Sequence, residues 1–278
     1  MSMQFQSFLA GLAVRAGRAA TCTSRAGLRS TRPQLHESDV SSKATARDIV
    51  TAADKATEKL IRESISSRFP DHRFYGEETG KSDDNGSPYC WIVDPIDGTV
   101  SYYEGQLYWC TSIALWKDGK PLAGAVYAPA LDELYYAEAG EGAYCNGRPI
   151  HVKSHGGLET SVLSTGFSCL RAGWTTGNNV RFFEQIGLKC RGVRRFGSAA
   201  VDICYVACGK SDGFWELNLQ PYDYAAAIAV LLEAGGMVSD LRGGDEYPVQ
   251  GILATNSAIH KEMLAFFPNY TRPAQPCK

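Results

Sequence analysis

The sequence predicts a layered fold of mixed α+β class, on three observations. Residues 109–116, 122–127 and 133–139 alternate in character, as antiparallel strands with one covered face do. Asn146-Gly147, between "AYC" and "RPIHV", is a dipeptide suited to a two-residue hairpin turn, which needs positive φ at both positions. Beyond about residue 155 short strand-like runs alternate with helical ones, which predicts mixed strand–helix units. The chain thus reads as an N-terminal α+β portion, 1–155, and a C-terminal α/β portion, 156–278.

Taken in order, Phe5, Phe8, Leu9, Leu12 and Ala13 recur at helical spacing and predict a first helix reaching the late twenties. The same region holds Arg15, Arg18, Arg25, Arg29 and Arg32 and no acid before residue 37. That composition also suits an organellar transit peptide; the amphipathic helix of a cytoplasmic protein is the preferred reading. A polar loop, "STRPQLHESDVSSK", follows. Asp48 or Thr51 caps a second helix, whose buried face carries Ala53, Leu60, Ile61 and Ile65 and which Pro70 stops. Residues 90–93 form a short buried strand. In the second half "SVLSTG", "DGFWE" and "GILAT" read as strands and "NNVRFFEQIG" as a helix ending at Gly187. Ser198 caps another helix that Gly209 closes, "YDYAAAIAVLLEAGG" is a helix ended by two glycines, and Asn256 caps a last one reaching Phe267.

With 278 residues and a net charge of -2, the chain has no basic excess that would draw nucleic acid. No apolar run approaches the roughly 20 residues that span a bilayer. Nine cysteines, an odd number without any C-x-x-C pair, read as free thiols of a reducing compartment rather than a disulfide or zinc framework. His151 and His155 fall in a glycine-bounded loop and read as solvated. "GKS" at Gly80 and Gly209 lacks the earlier glycine of a P-loop, and no G-x-S-x-G elbow occurs.

The chemistry lies in the acids. Asp94 and Asp97 stand in "DPIDGT", where a buried strand ends, and two carboxylates there repel unless a cation lies between them. Pro95 stiffens the turn and Gly98 lets the backbone approach a ligand. Thr99 opens a short helix whose free N–H groups suit a phosphate. Glu77 and Glu78 in "YGEETG" and Asp223 in "LQPYDYAAA" add oxygen donors of the kind a hard divalent cation takes, one that also bridges phosphate. Read alone, Asp223 is equally a helix cap, and Asp54 a favourable charge in the first turn of the second helix.

"GEETG", "WIVDPIDGT" and "WELNLQPYDYAAAIAVLLEAGG" together resemble the inositol monophosphatase family of magnesium-dependent, lithium-sensitive phosphatases, from about Phe8 to Phe267. The resemblance implies an αβαβα sandwich of the inositol monophosphatase / fructose-bisphosphatase type, and a homodimer. It implies that Glu77, Asp94, Asp97, Asp223 and the Ile96 carbonyl hold metal. Gly98 and Thr99 would contact phosphate, and Asp54 would pair with the Thr99 hydroxyl. Lys43 would lie on a loop near the site, and Ser198, Ala199 and Glu216, with Asp223, would line the sugar or inositol pocket. Two or three Mg2+ are implied, with Mn2+ as a substitute and Li+ as an inhibitor. Such ions supply a water of lowered pKa and steady a leaving oxygen. Asp54, Thr99 and Glu77 would orient or deprotonate that water. The chain departs from the family's pattern at Val100, Ser101 and Tyr102, where Thr-Asn-Phe is frequent, and at Tyr222, where Trp is frequent. Both departures bear on the pocket rather than on the ligands.

Hydrolysis of myo-inositol monophosphate is the reading these residues support, with no nucleic acid and no membrane as partner. Histidinol phosphate, fructose 1,6-bisphosphate and 3′-phosphoadenosine nucleotides are alternative substrates on the same fold. A bisphosphate would want basic residues such as the run "RGVRR" at 191–195, which reads equally as a solvated loop or subunit contact. A scaffold or regulatory interaction protein is a reading of a different class, opposed by the cost of gathering unused carboxylates.

Overall fold

The computed structural model describes residues 4–23, 40–42, 49–245, 247, 250–268 and 270–272. Helix α1 (Gln4–Thr23) comes first, then the paired strands β1 (Val40–Ser42) and β2 (Ile49–Thr51) and helix α2 (Ala52–Arg68). Thr51 is the N-cap of α2, forming a reciprocal capping box with Asp54, and the helix ends two residues before Pro70. The sequence expectation for α1 is met through Thr23; its continuation into the late twenties, Asp48, Lys43 and Cys277 lie outside the described residues.

The larger sheet has eight strands: β3 (Arg73–Gly76), β4 (Gly80–Lys81), β5 (Tyr89–Asp97), β6 (Cys110–Lys117), β7 (Lys120–Ala128), β8 (Glu133–Glu138), β9 (Ala143–Cys145) and β10 (Arg148–Pro149). All neighbours pair antiparallel except β3 and β5. Asn146 and Gly147, both at positive φ, make the two-residue turn between β9 and β10. Helix α3 (Thr99–Tyr103) follows β5.

The expectation that these strands have one covered face is corrected: both faces are buried. Trp91, Val93, Ile113, Leu115, Ala123, Ala125 and Tyr127 pack under α1 and α2 with Leu9, Leu12, Ile61 and Ile65. The opposite face, with Ile92, Ala114, Gly124 and Val126, meets helices from the second half of the chain. The alternation is one of large against small side chains, and Gly124 shows why. A methyl group there would stand 2.3 Å from the Ala226 carbonyl, so the helix above rests directly on the sheet backbone.

Those helices are α6 (Ala199–Ala207) and α7 (Pro221–Glu233). A five-stranded sheet covers their far side, in the order β12 (Gly192–Arg194), β11 (Val162–Thr165), β13 (Gly213–Glu216), β15 (Ile252–Thr255), β14 (Met237–Ser239). Strand β11 runs parallel to β12 and β13, and the rest are antiparallel. Its outer face, with Leu163, Trp215 and Leu253, packs on α5 (Val180–Gly187) and α8 (His260–Leu264) through Phe182, Ile186 and Met263. Helix α4 (Ser168–Arg171) links β11 to α5. The order is helix, sheet, helix, sheet, helix: the αβαβα sandwich. Helix α8 is shorter than its sequence suggests, because the Asn256 side chain accepts from Ala258 and Ile259 N–H in a turn and Ile259 becomes the N-cap. Cys90, Cys110, Cys145, Cys169, Cys190, Cys204 and Cys208 are free thiols, and among the described residues no helix is long and apolar enough to cross a membrane.

Candidate metal centre and cleft

Strand β5 is longer than residues 90–93; it carries both aspartates to its end at Asp97. Its register with β6 pairs Asp94 with Ser112 and Asp97 with Cys110, and shifts between them. In a regular strand residues three apart face opposite sides. The bulge falls at Pro95-Ile96, where proline has no N–H for the ladder, and it re-aims the two aspartates. Oxygens of Asp94, Asp97 and Asp223 lie within 4.8 Å of one another.

Each of the three has one oxygen fixed by a backbone N–H. Asp94 Oδ1 accepts from Ile96 N at 3.0 Å. Asp97 Oδ2 accepts from Ala200 N at 2.8 Å and from the Ser198 hydroxyl at 2.6 Å, so it sits at the start of α6, where the helix dipole favours an anion. Asp223 Oδ2 accepts from Gln220 N at 2.6 Å, as the third residue of a capping box at the start of α7. Burial, before anything else, pushes all three carboxyls up; their mutual charge and that of Glu77 push the same way, and Asp97 reaches about 7. A cluster of carboxylates held this way stores repulsion that a divalent cation relieves, and an all-oxygen donor set is what a hard cation takes. The residues therefore fit a metal of that class.

Glu77 stands outside the 4.8 Å group but near enough that its charge helps push the Asp94 carboxyl up. It follows β3, and its N–H continues the parallel pairing to Val93. The Ile96 carbonyl accepts from the Thr99 hydroxyl at 3.1 Å, and Asp54 Oδ1 lies 3.5 Å from the same hydroxyl, at the limit of hydrogen bonding. Asp54 is buried, takes two hydrogen bonds from Thr51, and is pushed up to about 7, chiefly by that burial. Gly98, at φ +89°, has the Tyr108 carbonyl 2.9 Å from where a methyl would be, so no other residue fits that turn.

Ser198, Ala199, Glu216 and Asp223 line one narrow cleft with Asp97. The Ser198 hydroxyl is committed there: it donates to Asp97 and accepts from Val201 N, so it positions that carboxylate. Glu216 ends β13, and its Oε1 accepts from Ser168 N and Oγ. Its carboxyl rests on the α-carbon of Gly166, and burial raises its pKa. Gly166 is fixed in turn by Asn179, which bonds its carbonyl, Thr165 Oγ1 and the Trp215 indole.

Two features escape a reading of the sequence. Glu58, buried on α2, accepts from Glu78 and Thr79 N–H at 2.8 Å each and so holds the loop that carries Glu77. Its signal was position: one helical turn past Asp54, on the same face. Arg171 and Arg195 also line the cleft; only the basic run 191–195 hinted at the second, and nothing at the first.

The family model described as the inositol monophosphatase family matches residues 6–271. An inositol-1-monophosphatase of Synechocystis is 41% identical over 231 residues, 81% of this chain and 78% of that protein. A fructose-1,6-bisphosphatase/inositol-1-monophosphatase of Aquifex aeolicus is 37% identical over 228 residues, 82% of this chain and 85% of its own. The solved structure of inositol monophosphatase from Anabaena superposes with a TM-score of 0.80 at 36% identity, covering 95% of this chain and 96% of that one. With this fold, this acid cluster and these likenesses, the chain belongs to the inositol monophosphatase family and is a phosphoric monoester hydrolase.

Proposed function

We propose that the protein hydrolyses myo-inositol monophosphate to myo-inositol and phosphate, with two or three Mg2+ ions that Mn2+ replaces and Li+ inhibits. The observation that carries this reading is the convergence of Asp94, Asp97 and Asp223 with their orientation fixed by backbone N–H groups. Glu77 and the Ile96 carbonyl complete the donor set. Bound metal supplies an activated water and neutralises charge on the phosphate. The chain's own residues do the rest. Thr99, between Asp54 and the Ile96 carbonyl, orients and deprotonates the attacking water, passing its own proton toward Asp54, which at about 7 takes or gives one near neutrality. Gly98 and Thr99 N–H groups receive phosphate oxygens, and Ala199, Glu216 and Asp223 receive the polyol. A homodimer in the cytoplasm belongs to this reading as well. The names of the Synechocystis and Aquifex relatives support inositol monophosphate as the substrate.

The test is phosphate release from inositol 1-phosphate by purified protein, with Mg2+ and after chelation, beside an Asp97→Asn variant and a lithium titration. Release that needs Mg2+, falls with lithium and vanishes in the variant is expected. Release from histidinol phosphate or a 3′-phosphoadenosine nucleotide but not from inositol 1-phosphate would overturn the substrate.

A further inference from the structure

We infer that Asn179, a buried residue outside the cleft, is a positioning residue for Glu216: it fixes Gly166, against which the Glu216 carboxylate is seated, and so sets how tightly the site takes the hydroxyls of the leaving polyol. The inference rests on the reading above that Glu216 receives the polyol, and it adds a residue that governs specificity.

Asn179 stands at the N-cap of α5, where an asparagine side chain ordinarily accepts from the first N–H groups of its own helix. Here it makes no such bond, and Asn178 Oδ1 accepts from Val180 N at 3.1 Å instead. The Asn179 side chain turns inward, and each of its polar atoms is used there. Nδ2 donates to Thr165 Oγ1 at 2.7 Å and to the Gly166 carbonyl at 2.6 Å, and Oδ1 accepts from Trp215 Nε1 at 2.7 Å. The amide can face only this way. An indole N–H only donates, and the Thr165 hydroxyl has its own proton on the Trp215 carbonyl, 2.5 Å away. A cap residue that leaves its own helix for three distant bonds breaks a local rule, and such breaks gather at functional sites.

The three bonds tie two strand ends together. Strands β11 and β13 run parallel, and Thr165 and Trp215 are their last paired residues. One residue further along come Gly166 and Glu216. Trp215 faces the outer helices and Glu216 the cleft, as neighbours on a strand do. A methyl group on Gly166 would overlap Glu216 Oε2, so the carboxylate rests on that α-carbon. The two hydrogen bonds to Oε1 come from Ser168, two residues past Gly166 in the same turn. Displacing Gly166 therefore shifts both the surface the carboxylate leans on and the donors that aim it. Asn179 holds the turn from behind: it is 0% exposed and has no place in the lining of the cleft. Asp94, Asp97 and Asp223 are aimed by the Ile96, Ala200 and Gln220 amides instead, so a change at Asn179 reaches the polyol side of the cleft and not the acid cluster.

The test is steady-state kinetics with Mg2+ on inositol 1-phosphate and on 4-nitrophenyl phosphate, whose leaving group carries no further hydroxyl for Glu216. Wild type, Asn179→Ala, Gly166→Ala, Glu216→Ala and the Asn179→Ala/Glu216→Ala pair are compared, with thermal unfolding to show which are folded. Asn179→Ala and Gly166→Ala should each raise KM for inositol 1-phosphate about tenfold or more, with kcat within about threefold and a much smaller change on the aryl ester. Calorimetric Mg2+ affinity of Asn179→Ala should stay within about twofold of wild type. Once Glu216 is alanine, Asn179→Ala should add no further rise. A lowered Tm with unchanged KM, equal losses on both esters, or a rise that adds in full to that of Glu216→Ala makes Asn179 structural only and overturns the inference. If Asn179→Ala does not fold, Gly166→Ala decides: a rise selective for inositol 1-phosphate upholds the seat, and an unchanged KM overturns it. Wild type active on the aryl ester alone overturns the polyol substrate, and wild type inactive on both overturns the phosphatase reading; either takes this inference with it.

Discussion

Removing the Glu58 side chain tests how the fold aims the loop that carries Glu77, a proposed metal ligand. The carboxylate is buried, accepts two N–H groups at 2.8 Å, and lies on the α-carbon of Gly76, where a methyl would come within 2.5 Å of it. Hydrogen bonds to a charged group contribute about 1.5–3 kcal/mol each, so Glu58→Ala forfeits about 3–6 kcal/mol in gross terms. The Glu78 and Thr79 amides sit at a partly exposed loop and regain water, which returns roughly half, leaving a loss of about 1.5–3 kcal/mol. The larger consequence is for Glu77, next in the chain to the clamped Glu78. Freed from its anchor, the loop no longer holds that carboxylate against Asp94, and Mg2+ affinity should fall at least about tenfold. Glu58→Gln, which keeps one acceptor oxygen and the side-chain volume, should show about half of each effect. Urea unfolding and calorimetric Mg2+ titration of the three proteins read both quantities. If Glu58→Ala loses stability but binds Mg2+ as wild type does, the loop is aimed by something other than Glu58 and the reasoning fails.

Gly98→Ala places a methyl 2.9 Å from the Tyr108 carbonyl at a φ of +89°, and should cost about 2 kcal/mol or more, read as a lowered urea midpoint; an unchanged midpoint refutes the turn's requirement. Thr99→Val should fold normally yet lose about 100-fold or more in kcat, with Thr99→Ser retaining most activity; a valine enzyme within a few-fold of wild type removes the hydroxyl from the reaction. Asp223→Asn keeps an oxygen for Gln220 N but removes a half-buried charge from among other acids, so the metal-free variant should be at least as stable as wild type while losing its stabilisation by Mg2+; loss of stability without metal contradicts this. Asp54 and Asp97, raised from 3.8 in the unfolded chain to about 7, hold protons in the folded state that the unfolded state has released between those values. Stability of the metal-free protein should therefore fall as pH rises from about 4 to 7, by up to about 1.4 kcal/mol per pH unit for each group, and Mg2+ should restore it above pH 7; a higher urea midpoint in chelator at pH 8 than at pH 5 contradicts the sign.

Much of this could be read from the sequence, where local signals decide structure. Thr51, Ser198 and the Asn146-Gly147 turn stand where capping and hairpin chemistry put them, and "DPIDGT" marks the turn that carries two acids of the candidate metal cluster. What could not be read depends on contacts between distant stretches. The second covered face of the large sheet is invisible because Ala114 and Gly124 look like solvent-side residues until α7 lies on them. The length of β5 is hidden because Pro95 reads as the end of a strand, whereas the bulge absorbs it. Glu58 and Arg171 carry no local motif; the meaning of Glu58 lies in Glu78 and Thr79, about 20 residues away, and that of Arg171 in a cleft lined from as far off as Asp97 and Asp223.

For Asp54 and Asp223 the sequence leaves open a choice between helix cap and functional acid; the structure gives both the capping place, and puts Asp223 in the acid cluster as well. Asp54 and Asp223 are each the third residue of a capping box, and Asp97 takes its two hydrogen bonds from the first residues of α6. A helix start presents N–H groups in fixed directions, so a carboxylate that binds them has one oxygen pinned and its plane set. That is what a metal ligand needs: its orientation is settled before the cation arrives, and no side-chain entropy remains to be lost on binding. The same N–H groups lessen the repulsion among the acids while the cation is away, and hydrogen bonds from Ala200 and Ser198 lower the Asp97 pKa against the burial that raises it. Alanine substitution at these positions would confound the two roles, whereas asparagine separates them by keeping the acceptor and dropping the charge. Helix starts are here the means by which two remote segments of chain bring the carboxylates of Asp97 and Asp223 to one point.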